Sequence, residues 1–279
     1  MSPCTSTNSG TQADMTTALL GYTGFVGSNL LDAHAFDDLY NTSNIADIAG
    51  KEYDLVVTTA NRADSFRINT HGADDRAEID ALVDTVLTAK IRRLVLISTV
   101  CVYPAGGAPD ESTALSEAGL TPYGANRLHQ ERRFQHAVDT TVIRLPQLYG
   151  SRLRKGVVYD LANDYRVEYI RPQTSYQHYD VRRLWQDIST ALEAGLPALN
   201  VATPPVSNTE LAQEVFDRDI AAQIPREPES PFAQLYTRNM TTEHAAVFGA
   251  EGDYLCSRRS EIEQLRAFVR DLRQNEGNR

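Results

Sequence analysis

Gly21, Gly24 and Gly27 stand at three-residue spacing in G-Y-T-G-F-V-G-S-N-L-L, directly after the apolar run T-T-A-L-L at 16–20. That arrangement is chemistry built from backbone. The first glycine permits a tight turn, the second lets a pyrophosphate approach the main chain, and the third lets the following helix pack against the sheet. Amide N–H groups at the start of that helix then point at anionic oxygens. Three glycines alone are a weak signal, but a strand before them and a helix after them predict a dinucleotide-binding loop. About twenty residues on, where a carboxylate would take a ribose, the chain reads L-Y-N-T-S-N at 39–44. Asp37 and Asp38 fall before the end of that strand. Asn41, Thr42 or Ser43 can hydrogen-bond either ribose, so the choice between NAD and NADP stays open.

The elements that must position this loop follow from periodicity. A helix after the loop carries Phe25, Val26, Leu30 and Leu31 on an apolar face, and a second strand is expected near Asp38–Thr42. The β-branched run at 53–60 and R-L-V-L-I-S-T-V at 93–100 read as buried parallel strands. Between them, Ala77, Ile79, Leu82, Val83, Val86 and Leu87 give helical spacing over 72–90. A helix at 123–138 and a strand at 140–145 continue the alternation, which predicts an α/β fold, a doubly wound parallel sheet of the Rossmann kind.

Beyond residue 150 the pattern turns irregular. Helices are expected near 181–194, 208–217 and 258–273, the last with Ile262, Leu265, Phe268, Val269 and Leu272 apolar. P-P-V at 204–206 and the proline-rich stretch 224–231 read as loops. The expected division is a polar, poorly ordered lead-in over 1–15, a nucleotide-binding domain over 16–150 completed by about 178–203, and a smaller lobe from 151–177 and 204–279.

With 279 residues and a formal net charge of −10, the chain has no basic surplus to neutralise a nucleic-acid backbone. No apolar stretch approaches the roughly 20 residues of a membrane span, and the first residues lack a basic start and an apolar core, so no secretory signal is read. Cys4, Cys101 and Cys256 are far apart and odd in number, which fits a reducing cytoplasm and indicates neither disulfide nor metal.

The glycine loop, S-T-V-C-V-Y-P at 98–104, P-Y-G-A-N-R at 122–127 and I-R-L-P-Q-L-Y-G at 143–150 occur in one order. In that order the chain resembles the extended short-chain dehydrogenases/reductases, the NAD-dependent epimerase/dehydratase family, over about residues 17–200. The resemblance implies a hydroxyl residue after a central strand, a tyrosine, and a cation four residues beyond it, which are here Thr99, Tyr123 and Arg127. It further implies cofactor contacts from Gly21, Thr23, Gly24, Phe25, Val26, Gly27, Asn41, Thr42, Ser43, Ala60, Asn61, Ser98, Tyr123 and Arg127, and a small-molecule substrate such as a sugar or nucleotide sugar. Many such relatives pair through helices of the nucleotide-binding domain, so a homodimer is a modest expectation.

A tyrosine with a pKa near 10 needs about 3 units, or roughly 4 kcal/mol, of nearby positive charge to act as a base at neutral pH. A cation one helical turn away can supply it. The family's lysine is replaced here by Arg127, which keeps the charge but cannot join a proton relay. Tyr-x-x-x-Arg also occurs at Tyr179/Arg183 and Tyr254/Arg258, and only its place after the S-T strand singles out Tyr123.

Cys101 resembles the cysteine of C-I-Y-P in GDP-fucose synthases, although the partner histidine position falls near Gly156; a small core cysteine is the plainer account. Where relatives carry an arginine for a diphosphate, the chain has Tyr176 or Gln177, with His178 beside them. Arg152, Arg154 and Lys155 form the candidate anion cluster. The leading expectation is an atypical NAD(P)-dependent enzyme of this family; the alternative is a dinucleotide-binding sensor or assembly subunit with weak or no turnover.

Overall fold

The computed structural model describes residues 15–226 and 239–277. The lead-in expected over 1–15, apart from Met15, and residues 227–231 of the proline-rich loop lie outside the described residues. In chain order the elements are β1 (Thr17–Leu20), α1 (Phe25–Ala33), β2 (Asp38–Tyr40), β3 (Glu52–Thr58), α2 (Ser65–Thr70), α3 (Gly72–Val86), β4 (Lys90–Thr99), α4 (Pro122–Ala137) and β5 (Thr140–Leu145). There follow β6 (Gln147–Tyr149), α5 (Val157–Ala162), β7 (Ser175–Tyr176), β8 (His178–Asp180), α6 (Leu184–Glu193), β9 (Ala198–Asn200), β10 (Val206–Ser207), α7 (Asn208–Phe216) and α8 (Arg258–Gly277).

Six strands form one parallel sheet in the order β2-β1-β3-β4-β5-β9. The order reverses beside β1, so the loop after β1 opens at a topological switch point, where open α/β sheets hold ligands. Strands buried on both faces require apolar residues, and residues 18–20 of β1 and 94–97 of β4 are continuous runs of them. One sheet face packs Leu19, Val57, Val95 and Ile143 against Leu30 of α1 and Leu184 and Ile188 of α6. The other packs Ala18, Val56 and Leu94 against Ile79 and Val83 of α3 and Phe134 of α4.

A separate core joins α5, α7 and α8, with Val158, Leu161, Leu211, Phe216, Ile262, Leu265, Phe268 and Val269 buried together. Val206, read as loop, instead pairs with Tyr176 in a short antiparallel ribbon, because its fully buried side chain belongs to that core. The spacing in α3 also misplaced one residue: Ala77 is exposed, while Asp75 is buried on the face toward α4.

Candidate functional site

The glycine loop has the geometry its spacing implies. Gly21 has φ of +81°, and its N–H donates to the Tyr40 carbonyl at 2.7 Å. A Cβ there would stand 2.7 Å from Thr59 Oγ1, and one on Gly27 would stand 2.3 Å from the Gly21 carbonyl oxygen. Gly24 differs, because it is exposed and its missing Cβ would meet only the Gly21 oxygen, at 3.3 Å. The open space is therefore at the middle glycine, where a ligand would lie against the main chain. Gly24 is also the N-cap of α1, with no side-chain cap and no acidic residue in the first turn, so the helix amides lack a side-chain acceptor. These features fit a dinucleotide's pyrophosphate. Thr23 is exposed beside Gly24, whereas Phe25 and Val26 are half-buried and pack against the core.

Asn41, Thr42 and Ser43 follow the C-terminal end of β2, on the same edge. Asn41 Nδ2 donates to the Tyr22 hydroxyl at 3.2 Å, and its Oδ1 accepts from the Ser43 N–H and hydroxyl at 2.8 and 2.6 Å. Asp37 and Asp38 lie at the opposite end of the strand, held by Thr17 and by Lys51 with Tyr53. Ala60 and Asn61 follow β3, and Asn61 Nδ2 donates to Gln130 Oε1 at 2.8 Å.

Thr99 ends β4 and Tyr123 opens α4, which begins on the Thr121 side chain and Pro122 at its first turn. What joins the two elements is close backbone packing. A Cβ on Gly124 would stand 2.1 Å from the Cys101 carbonyl oxygen, so only glycine lets the start of α4 sit on the turn after β4. The Thr99 hydroxyl accepts from the Cys101 N–H at 3.2 Å, and Asn69 of α2 accepts from the Tyr123 N–H at 3.0 Å. Desolvation raises the Tyr123 phenol above the ordinary tyrosine range. Arg127 and the Thr99 hydroxyl pull it down, and Cys101 pushes it further up. Thr99, Cys101, Tyr123 and Arg127 are thus brought together.

The terminal nitrogens of Arg127 are already engaged, while its buried Nε has no hydrogen-bond partner among the described residues. Arg127 is 2% exposed, and its Nη1 and Nη2 each lie 3.1 Å from a carboxylate oxygen of Asp75. Nη2 also donates to the Arg62 carbonyl at 2.8 Å, and Asn126 Nδ2 donates to the same Asp75 at 2.9 Å. The guanidinium carbon lies 4.8 Å from the Tyr123 ring centroid. Asp75 was missed in the sequence. An acidic residue in the first turn of a helix is ordinary, and its partner is 52 residues away.

Ser98 turns away from the cofactor edge. Its hydroxyl donates to Glu131 Oε1 at 2.5 Å, and Glu131 also accepts from Arg144 at 2.8 and 3.2 Å. Arg144 Nη1 in turn donates to the Tyr103 hydroxyl at 2.8 Å. Ser98, Arg144 and Asn200 are in register across β4, β5 and β9, forming a buried polar network with Glu131 of α4 and Tyr103.

On the lobe side the expected pocket residues differ: the Gln177 side chain is engaged, whereas both ring nitrogens of His178 are buried without a hydrogen-bond partner among the described residues. Gln177 is buried, with Nε2 donating to the carbonyls of Thr203 and Met240 and Oε1 accepting from the Met240 N–H. His178 is buried too. Its main-chain N–H donates to Glu261 at 3.2 Å, and desolvation, aided by Arg258, lowers its imidazole to about 4. Tyr176, half-buried, meets the His178 ring edge-on at 6.2 Å. The anion cluster does not assemble. Arg152 makes a two-pronged ion pair with Asp32 of α1 at 2.7 and 2.9 Å, and Lys155 reaches the Ala63 carbonyl at 3.3 Å.

Sheet order, glycine loop and the Thr99–Tyr123 corner define a doubly wound protein of the Rossmann class. Residues 35–167 match the model of the NAD dependent epimerase/dehydratase family. That match spans the segment from β2 to α5, which holds S-T-V-C-V-Y-P, P-Y-G-A-N-R and I-R-L-P-Q-L-Y-G. No curated protein matches it in sequence.

Three solved structures are similar in fold. A UDP-glucose 4-epimerase from Thermotoga maritima, solved with UDP-glucose, is 15% identical with a TM-score of 0.70, the match covering 93% of this chain and 99% of that one. TunA, an NAD dependent NDP-hexosamine 5,6-dehydratase involved in tunicamycin biosynthesis, is 14% identical with a TM-score of 0.73, covering 93% and 98%. DesIV, a dTDP-glucose 4,6-dehydratase from Streptomyces venezuelae solved as a double mutant with NAD and DAU, is 16% identical with a TM-score of 0.69, covering 94% and 98%. Among the described residues no helix is long and apolar enough to cross a membrane.

Proposed function

We propose that the chain is an NAD- or NADP-dependent enzyme of the epimerase, dehydratase or reductase type, acting on a sugar or nucleotide-sugar-like substrate with Tyr123 as acid/base. The observation that carries this reading is the meeting of Thr99 and Tyr123 at the sheet edge that also bears the uncapped glycine loop. The amides around Gly24 hold the pyrophosphate, and Asn41, Thr42 and Ser43 serve the ribose. When bound, the nicotinamide supplies hydride transfer. Thr99 orients a substrate oxygen, and Tyr123 gives that oxygen a proton or takes one from it. The nucleotide-sugar class is supported by the similar proteins, one of which was solved with UDP-glucose. The nucleotide-binding domain over 16–150, completed by 178–203, and a substrate lobe from the remaining segments form the working division.

One observation favours a second reading, a dinucleotide-binding protein of weak or no turnover: Arg127, in the position of the family's lysine, is bound to Asp75. Turnover separates the two. Reduced and oxidised cofactor are incubated with a panel of sugar nucleotides, following nicotinamide absorbance and product formation. The enzyme reading expects turnover that falls 10²–10⁴-fold in Tyr123→Phe. Unchanged turnover in that variant sinks the role of Tyr123, and cofactor binding with no turnover on any substrate favours the second reading.

A further inference from the structure

The Arg127–Asp75 pair is more than a replacement for a lysine. Both ends of the guanidinium fork are taken by one carboxylate, a third bond goes to the Arg62 carbonyl, and the whole group is buried against the face of the Tyr123 ring. A bidentate pair in a desolvated site fixes both the plane and the position of the cation. It also places a full negative charge on the cation, so the field reaching the phenol is that of an ion pair rather than of a free charge. Asn126 and the Gly72 carbonyl complete the arrangement: Asn126 Nδ2 donates to both Asp75 and Gly72, which locks α3 to α4 at this point.

We infer that Asp75 is a positioning residue that helps to keep Tyr123 a neutral phenol, by holding Arg127 over the tyrosine ring and opposing its charge. The inference rests on the reading of Tyr123 as the acid/base. The groups that face this phenol are Arg127 from α4, with Asp75 of α3 behind it, and Thr99 and Cys101 from the end of β4 and the turn after it. Asn69 of α2 touches only the Tyr123 main chain. Arg127 is the one cation in this set, and it carries a counter-ion. Tyr123 therefore enters the reaction with its proton in place, as the group that protonates a substrate oxygen. Removal of a substrate proton must wait for further positive charge from bound ligands.

The test reads the phenol directly in the ligand-free chain. Tyrosine labelled with ¹³C at Cζ is titrated by NMR, and Tyr123→Phe identifies the Tyr123 resonance. The expected midpoint in the unmodified chain lies above the ordinary value of about 10. Asp75→Asn leaves the guanidinium uncompensated and should lower the midpoint by at least about one pH unit, a tenfold gain in acidity. Asp75→Glu, which keeps the charge, should move it far less. If Asp75→Asn fails to fold, the double variant Asp75→Leu/Arg127→Met replaces the pair with apolar groups, and its midpoint should stay near that of the unmodified chain.

A midpoint of 8 or below in the unmodified chain overturns the inference. So does an unshifted midpoint in folded Asp75→Asn, or a rise of more than tenfold in proton affinity in the double variant. Because no cofactor is present, failure to bind NAD or NADP would sink the proposed function and leave this result standing.

Discussion

The glycine loop and the tyrosine corner are built from different materials. The glycine loop is main chain: its shape comes from Gly21 at φ of +81° and from space that only glycine leaves, and its outer side is open at Gly24. The tyrosine corner is side chain: Arg127 is clamped by Asp75, Ser98 and Arg144 by Glu131, and across the lobe seam Gln177 and His178 are buried in contact with the main chain or Glu261. The comparison teaches that the glycine loop depends on sterics, whereas the tyrosine corner depends on paired charges in a poorly solvated place. The first leaves no room for a Cβ at Gly21 or Gly27, and the second holds its buried arginines in pairs, Arg127 with Asp75 and Arg144 with Glu131.

The largest effect should come from the buried network around Glu131 of α4. Glu131→Ala leaves Arg144 and the Ser98 hydroxyl without their acceptor in a site where Glu131 is 1% exposed. Removing one partner of a buried pair should destabilise the chain by about 3–5 kcal/mol, measured by urea unfolding. A loss below about 1 kcal/mol would mean the network is not sealed.

In the glycine loop, Gly27→Ala sets a Cβ against the Gly21 carbonyl, backbone that cannot rotate away. A loss of about 3 kcal/mol is expected, together with loss of dinucleotide binding by calorimetry. Unaltered binding would show that the loop does not hold the ligand.

The seam under the lobe should respond to pH. Desolvation raises Glu261 from 4.5 to about 8 and lowers His178 from 6.5 to about 4. Above pH 4.5 the unfolded chain holds fewer protons at Glu261 than the folded one, so that group removes stability as pH rises. Below pH 6.5 the unfolded chain holds more protons at His178, so that group removes stability as pH falls. The two slopes oppose between pH 4.5 and 6.5, and Glu261 acts alone from 6.5 to 8, where a loss of roughly 2 kcal/mol is expected. In Glu261→Gln that alkaline loss should vanish and stability should rise from pH 4.5 to 6.5. Denaturant unfolding across the range checks it, and a wild-type curve flat from 6.5 to 8 would contradict it.

The smallest effect is at the surface. The Arg152–Asp32 pair is half-exposed on both sides, and Arg152→Ala should change stability by less than about 1 kcal/mol and leave dinucleotide binding unchanged. A marked loss of sugar-nucleotide affinity in that variant would restore Arg152 to the anion site.

What was legible in the sequence follows the same division. The parallel sheet, the loop at its switch point and the apolar faces of the first and last helices, with Leu30, Ile262, Leu265 and Phe268, rest on local patterns, and periodicity and glycine spacing report local patterns well. Thr99 and Tyr123 were legible because each ends or starts an element. Asp75 was not: Arg127 reads as a solvated or ribose-facing cation unless its partner 52 residues away is known. Ser98 stands next to Thr99, and strand alternation turns their side chains to opposite faces. Its engagement by Glu131 needed only that rule. His178 opens a short strand and Gln177 precedes it, both covered by the lobe, whose irregular sequence gave no period from which to read burial.

Calorimetric titration of NADH and NADPH into the purified chain tests most directly the claim that the glycine loop holds a dinucleotide beside Thr99 and Tyr123. The account predicts saturable one-to-one binding of at least one of them, lost in Gly27→Ala, and it also decides the ribose preference that Asn41, Thr42 and Ser43 leave open. Binding of neither to a folded sample would contradict the account, and the oxidoreductase reading would go with it.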